Sequence, residues 1–296
     1  MSTKEKVDVY EIVKENILKR IEEMDAGQVD GRWVKPWSLQ TVRPMNWHSQ
    51  RLYSGVNLFL LNHCGSEFLT WNQIKELQQT KKQQNVQLRK GSKSHMVIYF
   101  KMLEKEDEDG EITIMPVLRY YRVFSLDDIS GLELKRTVAT YEHNPEESET
   151  ALNDALTAYF QREGIPVRMT KSDGCYYVPA SHSITIPEER YFQHFNEYLS
   201  SLAHETVHST AAHMGRKIDF DMNGENYAYE ELIAEFAASL LLAHFGVANE
   251  ISSQNSAAYL HNWMQRIKDT PARKLVSAMT SAQKAVDFIL GVENEE

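Results

Sequence analysis

Three segments of the chain carry apolar residues three and four positions apart, the spacing that places them on one face of an α-helix. The first segment is residues 7–24, whose apolar positions are Val9, Ile12, Val13, Ile17, Leu18 and Ile21. The second segment is residues 198–215, where Gly215 is the expected stop, and the third is residues 227–245, where Gly246 is the expected C-cap. The pattern therefore predicts one N-terminal helix and two helices in the C-terminal half.

Short apolar runs bounded by glycine predict strands in the N-terminal half. Residues 95–100 form such a run, Gly110 favours a hairpin turn after it, and residues 112–124 are the expected partner. Residues 68–77 predict a short helix before this hairpin, with Thr70 as its N-cap. We therefore expect a small domain of mixed α/β structure in this half of the chain.

Charge divides the chain into a basic and an acidic part. Residues 1–100 hold 15 Lys and Arg against 10 Asp and Glu, whereas the remainder holds 17 against 32, for a net charge of −10. The two parts meet at residues 141–150, a polar and acidic segment containing Pro145 that cannot bury a core of its own. A chain of 296 residues is long enough for two domains, and we place them at residues 1–140 and 141–296.

The sequence contains no signal for a membrane or for an oxidising compartment. No apolar run approaches the ~18 residues of a membrane-spanning helix, and the chain does not begin with the apolar region of a signal peptide. Cys64 and Cys175 lie far apart and lack the paired spacing of a disulfide framework or a zinc ribbon. We therefore expect a cytoplasmic protein with no membrane partner, in which both cysteines are reduced packing residues.

The pattern H-E-x-x-H at residues 204–208 is the strongest chemical signal in the chain. Because an α-helix turns once every ~3.6 residues, His204 and His208 project from one face, where two imidazoles can hold a zinc ion. Glu205 lies beside them and can reach a water molecule at the metal without being a ligand, as a general base for hydrolysis must. Since so short a pattern also occurs by chance, a third ligand is needed to establish a metal site.

The helix predicted at residues 227–245 supplies candidates for that ligand. Glu231 and Glu235 are four residues apart and share a face of an otherwise apolar helix. Unpaired charge is costly to bury, so two inward-facing acids need a partner, and zinc supplies one. We assign Glu231 as the third ligand and Glu235 as the acceptor for the Nδ1–H of a ligand histidine. Glu230 and Glu235 are the competing candidates for the ligand position, and a solvated acidic helix face is the alternative interpretation.

Aromatic, cationic and amide side chains are interleaved in the N-terminal half, first in a loop-rich region and then beside a basic cluster. Single-stranded nucleic acid binds to such a mixture, because bases stack on aromatic rings while Lys and Arg neutralise phosphates. The alternative is that the tryptophans belong to a core and the cations to a solvated surface. The residues we assign to DNA binding are Trp37, Arg43, Asn46, Tyr53, Asn57, Trp71, Arg89, Lys90 and Lys93.

Further motifs surround the two C-terminal helices. Residues 184–187, Ile-Thr-Ile-Pro, precede H-E-x-x-H, and residues 227–235, Tyr-Ala-Tyr-Glu-Glu-Leu-Ile-Ala-Glu, follow it. With Tyr259 and Trp263 further on, this order resembles the zincin-like metallopeptidase domain of ArdC-type antirestriction proteins. The resemblance implies a largely helical domain with a small sheet, and hence an α+β chain. Residues 209–211, Ser-Thr-Ala, depart from the family's aromatic residue, small hydroxyl residue and glycine at this point.

The N-terminal half carries a second set of motifs in the order found in the same family. Residues 53–57, 69–73, 89–91 and 121–124 resemble the single-stranded-DNA-binding domain of ArdC-type proteins. Together the two resemblances imply an antirestriction-type protein of a mobile genetic element. Such a protein would bind single-stranded DNA and carry a zinc metalloprotease-like site.

Two other functions are compatible with the same residues. One is a DNA-protecting protein whose metal site is structural and has no turnover. The other is a DNA-dependent protease that acts on DNA-bound proteins. The protein substrate and the oligomeric state do not follow from the sequence.

Overall fold

The first predicted helix is present as α1, Val9–Asp25. The computed structural model describes residues 8–25, 43–62, 64–80, 85–106, 112–135, 144–218, 224–247 and 265–292. Trp37, Tyr259 and Trp263 lie outside these residues, as does the predicted domain boundary. The chain divides into two compact units, Met1–Ile17 with Arg43–Thr137 and Leu18–Val42 with Val138–Glu296.

The N-terminal unit is built on a four-stranded sheet. Its strands are β1 (Met45–Asn46), β2 (Glu67–Thr70), β4 (His95–Glu106) and β5 (Ile112–Ser125). They lie in the order β1-β2-β5-β4, with β1 parallel to β2 and the other pairs antiparallel. A separate antiparallel pair joins β3 (Gln87–Leu88) to β6 (Ile129–Ser130). The long hairpin of β4 and β5 confirms the predicted strand pair, and both strands exceed the apolar runs that predicted them.

Two further helices of this unit are α2 (Val56–Leu60) and α3 (Trp71–Gln79). Thr70 is the N-cap of α3, as predicted. Its Oγ1 accepts from the Gln73 N–H at 3.2 Å, and the Gln73 Oε1 accepts from the Thr70 N–H at 2.9 Å. This reciprocal capping box explains why the helix begins where it does. One face of α3 packs into a core made of Trp47, Leu69, Ile74, Leu77, Val86, Leu126 and Ile129.

The C-terminal unit is largely helical, with a small sheet, as the family resemblance implied. Its long helices are α4 (Pro145–Glu163), α5 (Phe195–Ser209), α6 (Glu225–Phe245) and α7 (Ala272–Ile289). The strands are β7 (Val167–Thr170), β8 (Tyr176–Val178) and β9 (Ser183–Pro187). Central β9 is parallel to β7 and antiparallel to β8. The expected α+β class is therefore confirmed.

Glycine ends α6, but it does not end α5. Gly246 is the C-cap of α6 in the left-handed conformation, at φ 74°, as predicted. The prediction that α5 continues to Gly215 was wrong, because the helix ends at Ser209 and turns occupy residues 210–215. The Thr210 hydroxyl donates to the Val207 carbonyl at 2.7 Å. This side-chain bond occupies a carbonyl of the last turn, and the chain turns away after it.

Helix α6 packs against both α5 and α7. Every residue from Leu232 to Leu242 is buried. A helix that is buried all round is expected to be apolar all round, yet Glu230 and Glu235 lie within this helix at 3% and 4% exposure. Buried carboxylates need partners, and each of these two has a histidine of α5 as one partner. None of the described helices is both long and apolar enough to cross a membrane.

Candidate functional site

Helices α5 and α6 bring His204, His208 and Glu231 together. His204 and His208 are one turn apart on α5, and their Nε2 atoms are 3.2 Å apart. The Glu231 carboxylate faces both rings, with Oε2 at 3.6 Å from the Nε2 of His204 and Oε1 at 3.4 Å from the Nε2 of His208. Among the described residues, this trio offers three ligand atoms within 4.8 Å of one another.

The donor set fits a metal ion. Zinc binds histidine nitrogen and carboxylate oxygen at about 2.0–2.2 Å, so two ligands of a tetrahedral site lie roughly 3.3–3.5 Å apart. The two Nε2 atoms, 3.2 Å apart, are close to that edge length, and so are the distances of 3.4 and 3.6 Å from them to the two different oxygens of Glu231. Three protein ligands also leave a fourth position open, as in catalytic rather than structural zinc sites.

Each histidine of the trio has a further carboxylate on its other ring nitrogen. The Nδ1 of His204 is 3.4 Å from the Oε2 of Glu235, and the Nδ1 of His208 is 3.3 Å from the Oε1 of Glu230. A carboxylate at Nδ1 favours a proton there and leaves the Nε2 lone pair for a metal. Both Nε2 atoms consequently face Glu231.

Sequence reasoning considered Glu230 only as a competing ligand and did not include Arg216. In the structure Arg216 forms a two-pronged ion pair with Glu230, from Nε to Oε2 and from Nη2 to Oε1, both at 3.0 Å. Arg216 is separated from Glu230 by 14 positions and lies in the connection between the helices. Helical spacing therefore gave no signal for this pair.

Glu205 lies beside the trio without joining it. Its side chain is buried, and its Oε2 accepts from the backbone N–H of Tyr177, on β8, at 2.8 Å. Burial raises the pKa of Glu205, although the two neighbouring histidines and the Tyr177 N–H act in the opposite direction. A carboxylate with a raised pKa and a fixed orientation is suited to accept and return a proton.

Ion pairing dominates the electrostatics of the trio. Burial acts to lower the pKa of His204, but hydrogen bonds with Glu231 and Glu235 outweigh it and raise the value to about 10. Burial likewise acts to raise the pKa of Glu231, but hydrogen bonds with both histidines hold it well below its usual range. Without a metal, protons on the histidines thus stabilise the nearby carboxylates, in the place that a cation would take.

Tyr227 stands one turn before Glu231 on α6. Burial, followed by the negative charge of Glu231, raises the pKa of the Tyr227 phenol. This side chain is therefore a neutral hydroxyl beside the carboxylate of the trio. It belongs to the tyrosine-rich motif at the start of the helix.

The structure gives several residues assigned to DNA binding a role inside the protein. The Asn57 side chain bonds both the N–H and the C=O of Ile98, at 2.8 and 2.9 Å. Asn46 is buried and exchanges hydrogen bonds with the Gln73 amide. Tyr53 is 7% exposed, and the Arg43 Nε donates to its carbonyl at 2.8 Å. These side chains hold loops against the sheet.

Other predicted residues do face solvent. The Trp71 side chain is 43% exposed at the first position of α3. Arg89, Lys90 and Lys93 are exposed on the turn before β4, where Gly91 has φ 92°. Trp71 borders an open depression of about 670 Å³, lined by Thr70, Trp71, Asn72, Tyr99, Tyr121 and Arg122.

Trp71 is the one residue of this lining that sequence reasoning assigned to DNA, and the lining residues that it did not assign include Tyr99, Tyr121 and Arg122. The register of β4 and β5 pairs Val97 with Tyr121 and Tyr99 with Arg119, so the two tyrosines lie on the same face of the hairpin. Their rings pack edge to face at 5.8 Å. Aromatic residues at same-face positions of the two strands were the available signal, but it becomes useful only when the register is known.

Family comparison agrees with this two-part arrangement. Residues 7–124 match the N-terminal domain of the anti-restriction factor ArdC, and residues 154–281 match the zincin-like metallopeptidase family named MPTase-PolyVal. The fold and the matched regions define an ArdC-type N-terminal domain followed by a zincin-like metallopeptidase domain.

Two crystal structures of the antirestriction protein ArdC from plasmid R388 resemble the chain over nearly its whole length. The metal-free structure is 31% identical, with a TM-score of 0.66 and coverage of 96% of this chain and 97% of its own. The Mn(II)-bound structure is 29% identical, with a TM-score of 0.67 and coverage of 98% and 100%. The chain therefore belongs to the ArdC family of antirestriction proteins, and the relative's Mn(II) together with the zincin-like domain indicates a divalent metal.

A longer curated protein also contains a matching region. The DNA primase TraC of Escherichia coli is 26% identical over 309 residues, which include 97% of this chain. The chain spans only 20% of the length of that relative.

Proposed function

We propose that the C-terminal unit is a zinc-dependent peptidase whose ligands are His204, His208 and Glu231. The observation that carries the proposal is the grouping of donor atoms beside the buried carboxylate of Glu205: the two Nε2 atoms are 3.2 Å apart, and each has one oxygen of Glu231 within 3.4–3.6 Å. A bound zinc ion would acidify a water molecule and polarise the scissile carbonyl. The protein residues supply positioning and proton transfer.

Glu205 is the general base in this proposal. Its carboxylate takes the proton of the attacking water and later delivers it to the leaving amine. The N–H of Tyr177 holds one carboxylate oxygen at 2.8 Å and thereby limits rotation of the group. Among the residues that the structure describes, no hydrogen bond occupies the second oxygen, and we assign it to accept the proton.

The geometry supports Glu231 over its two competitors as the third ligand. Glu230 and Glu235 contact the Nδ1 atoms of the histidines, on the side of each ring away from the shared Nε2 pair. Only Glu231, among these three acids, directs its carboxylate towards both Nε2 atoms. Glu230 and Glu235 are therefore assigned to orient the ligands, as carboxylates commonly do at histidine–zinc sites.

The N-terminal unit is proposed to bind single-stranded DNA on the depression around Trp71. Its exposed rings, Trp71 and Tyr99, can stack on bases of any sequence, while Arg122 and the exposed turn of Arg89, Lys90 and Lys93 supply positive charge for phosphates. Asn46, Tyr53 and Asn57 support this surface from within. Trp37 stays a predicted contact.

Membership of the ArdC family gives these two activities a common purpose. We propose that the chain acts in the cytoplasm as an antirestriction protein of a mobile genetic element. Its N-terminal unit would hold incoming single strands, and its metal site would act on proteins bound to that DNA.

The proposal is tested by a cleavage assay on casein and on a DNA-bound histone, with and without single-stranded DNA. Zinc-loaded native protein should cleave, and Glu205→Gln should bind zinc and DNA normally but not cleave, because an amide does not accept the proton. If the native protein cleaved neither substrate while DNA protection survived in Glu205→Gln, the chain would be a DNA-protecting binding protein instead.

A further inference from the structure

Arg216 lies outside the trio but is built into its surroundings. The side chain is only 10% exposed and turns from the connection after α5 into the space beside α6. Its guanidinium donates to both oxygens of Glu230 at 3.0 Å, to the Val207 carbonyl at 3.0 Å and to the Thr210 hydroxyl at 3.1 Å. A fourth partner is the sulfur of Met214, 3.1 Å from Nη1. A buried arginine with so many directed contacts has a fixed position.

The contacts of Arg216 lead to a proposed metal ligand in two steps. Its Nη2 and the Nδ1 of His208 share one acceptor, the Oε1 of Glu230, at 3.0 and 3.3 Å. Because both prongs of the guanidinium engage Glu230, the carboxylate cannot rotate without breaking an ion pair. The direction in which Glu230 presents Oε1 to His208 is therefore set by Arg216.

The charges around the trio favour a further cation beside Glu230. Four carboxylates, Glu205, Glu230, Glu231 and Glu235, surround two histidines, whereas a divalent metal supplies two positive charges. Arg216 supplies a third, beside Glu230 and away from the Nε2 atoms that face the ion. Arginine suits this position because it stays charged and its planar fork matches a carboxylate.

We propose that Arg216 is a positioning residue of the metal centre, which fixes the Glu230 carboxylate and so directs the Nε2 of His208 to the ion. The same guanidinium bonds the Val207 carbonyl and the Thr210 hydroxyl, and thus ties the end of α5 to Glu230 on α6. The inference rests on the proposed metal-binding function and adds a residue that neither the H-E-x-x-H pattern nor the acids of α6 contain.

The test compares metal binding by Arg216→Met, Arg216→Lys and Glu230→Gln in the full chain. Zinc affinity is measured by competition with a chromophoric chelator, and Co²⁺ is used as a probe because its visible spectrum reports ligand geometry. Loss of such an outer partner typically weakens metal binding about 10- to 100-fold. We expect a loss in that range for Arg216→Met, with an altered Co²⁺ spectrum, and a smaller loss for Arg216→Lys, which keeps the charge without the fork.

Two further variants separate positioning from simple packing. Glu230→Gln should also weaken zinc binding. The double variant Arg216→Met/Glu230→Gln should bind zinc no more weakly than the single variant with the lower zinc affinity, because both changes break the same chain of contacts. The double variant also serves if Arg216→Met alone does not fold, since it removes the carboxylate left without its partner. Arg190→Met is the matched control, because Arg190 is an exposed arginine paired with Glu188 in the same unit.

The outcomes distinguish this inference from the proposed function. Native zinc affinity and an unchanged Co²⁺ spectrum in folded Arg216→Met would overturn the positioning role while leaving the metal site intact. Native affinity in Glu230→Gln, with loss only in the arginine variants, would show that Arg216 acts through packing and would also overturn it. If native protein bound no zinc at all, the proposed function and the inference would fail together.

Discussion

Truncating Trp71 is predicted to weaken binding of single-stranded DNA while leaving the N-terminal unit folded. The ring is 43% exposed, packs edge to face against Phe124 at 6.3 Å between centroids, and has the Lys75 Nζ over it at 5.4 Å from its centroid. Removing a buried tryptophan costs about 3–5 kcal/mol, so a ring with nearly half its surface in solvent should cost roughly half of that. The exposed part of the ring is the surface that we propose for a base.

The loss of affinity follows from stacking. A base stacked on an aromatic ring contributes about 1–3 kcal/mol, which corresponds to a 5- to 150-fold rise in Kd at ~1.4 kcal/mol per factor of ten. Trp71→Ala should show a rise in this range by fluorescence anisotropy with an oligothymidine, and the slope of log affinity against log salt should stay unchanged. Trp71→Phe should recover most of the loss.

The controls distinguish stacking from a general effect. Tyr191→Ala removes an aromatic side chain of similar exposure, 50%, from the C-terminal unit and should leave DNA affinity unchanged. Circular dichroism and a melting curve establish that Trp71→Ala is folded. Native affinity in the folded variant would refute the assignment of this depression to DNA.

Four further predictions follow from the two sites. Replacing Arg122 with Gln should lower the salt slope of DNA binding by about 0.7 if it contacts one phosphate, whereas an unchanged slope would remove it from the DNA path. Chelation should lower the melting temperature of the native protein, and His204→Ala should abolish that sensitivity; a chelator effect that persisted in the variant would place the metal elsewhere. Zinc affinity should rise with pH, by about tenfold per pH unit for each proton displaced, because the pKa of His204 is raised to about 10 in the metal-free protein. Calorimetry in buffers of different ionisation enthalpy would detect the released protons. Zinc binding without proton release would show that the histidines were already neutral. In the metal-free protein, protonated His204 contributes its full stabilisation of the fold below pH ~6.5, and this contribution is lost as the pH rises towards 10. Chemical denaturation should therefore show that the free energy of unfolding falls with rising pH, whereas zinc affinity rises.

The side-chain cluster that we propose as the metal site was accessible from the sequence because its geometry is local. His204 and His208 are separated by one helical turn, and Glu231 and Glu235 by another, so the spacing within each helix defines which side chains share a face. The facing of α5 and α6 was inferred from the need of buried acids for a partner. That reasoning placed the Glu235 carboxylate against Nδ1 of a histidine, and the structure has it 3.4 Å from Nδ1 of His204.

The parts that sequence reasoning missed depend on contacts between distant segments. Arg216 reaches Glu230 from a connection whose path no periodicity describes, and the position of the α5 terminus depends on the Thr210 hydroxyl. In the N-terminal unit, the Asn57 side chain carries an amide of the kind that can read a base, but this amide bonds the backbone of Ile98. Tyr99 and Tyr121 come together only through the register of their strands.

The central claim, that His204, His208 and Glu231 hold a catalytic metal, is tested most directly by anomalous diffraction from crystals of the protein grown with zinc. The account predicts one strong peak, about 2.0–2.2 Å from both Nε2 atoms and from a carboxylate oxygen of Glu231, with Glu205 near the ion but not bound to it. A peak bound instead by Glu230 or Glu235, or no peak at the two histidines in fully zinc-saturated crystals, would contradict it.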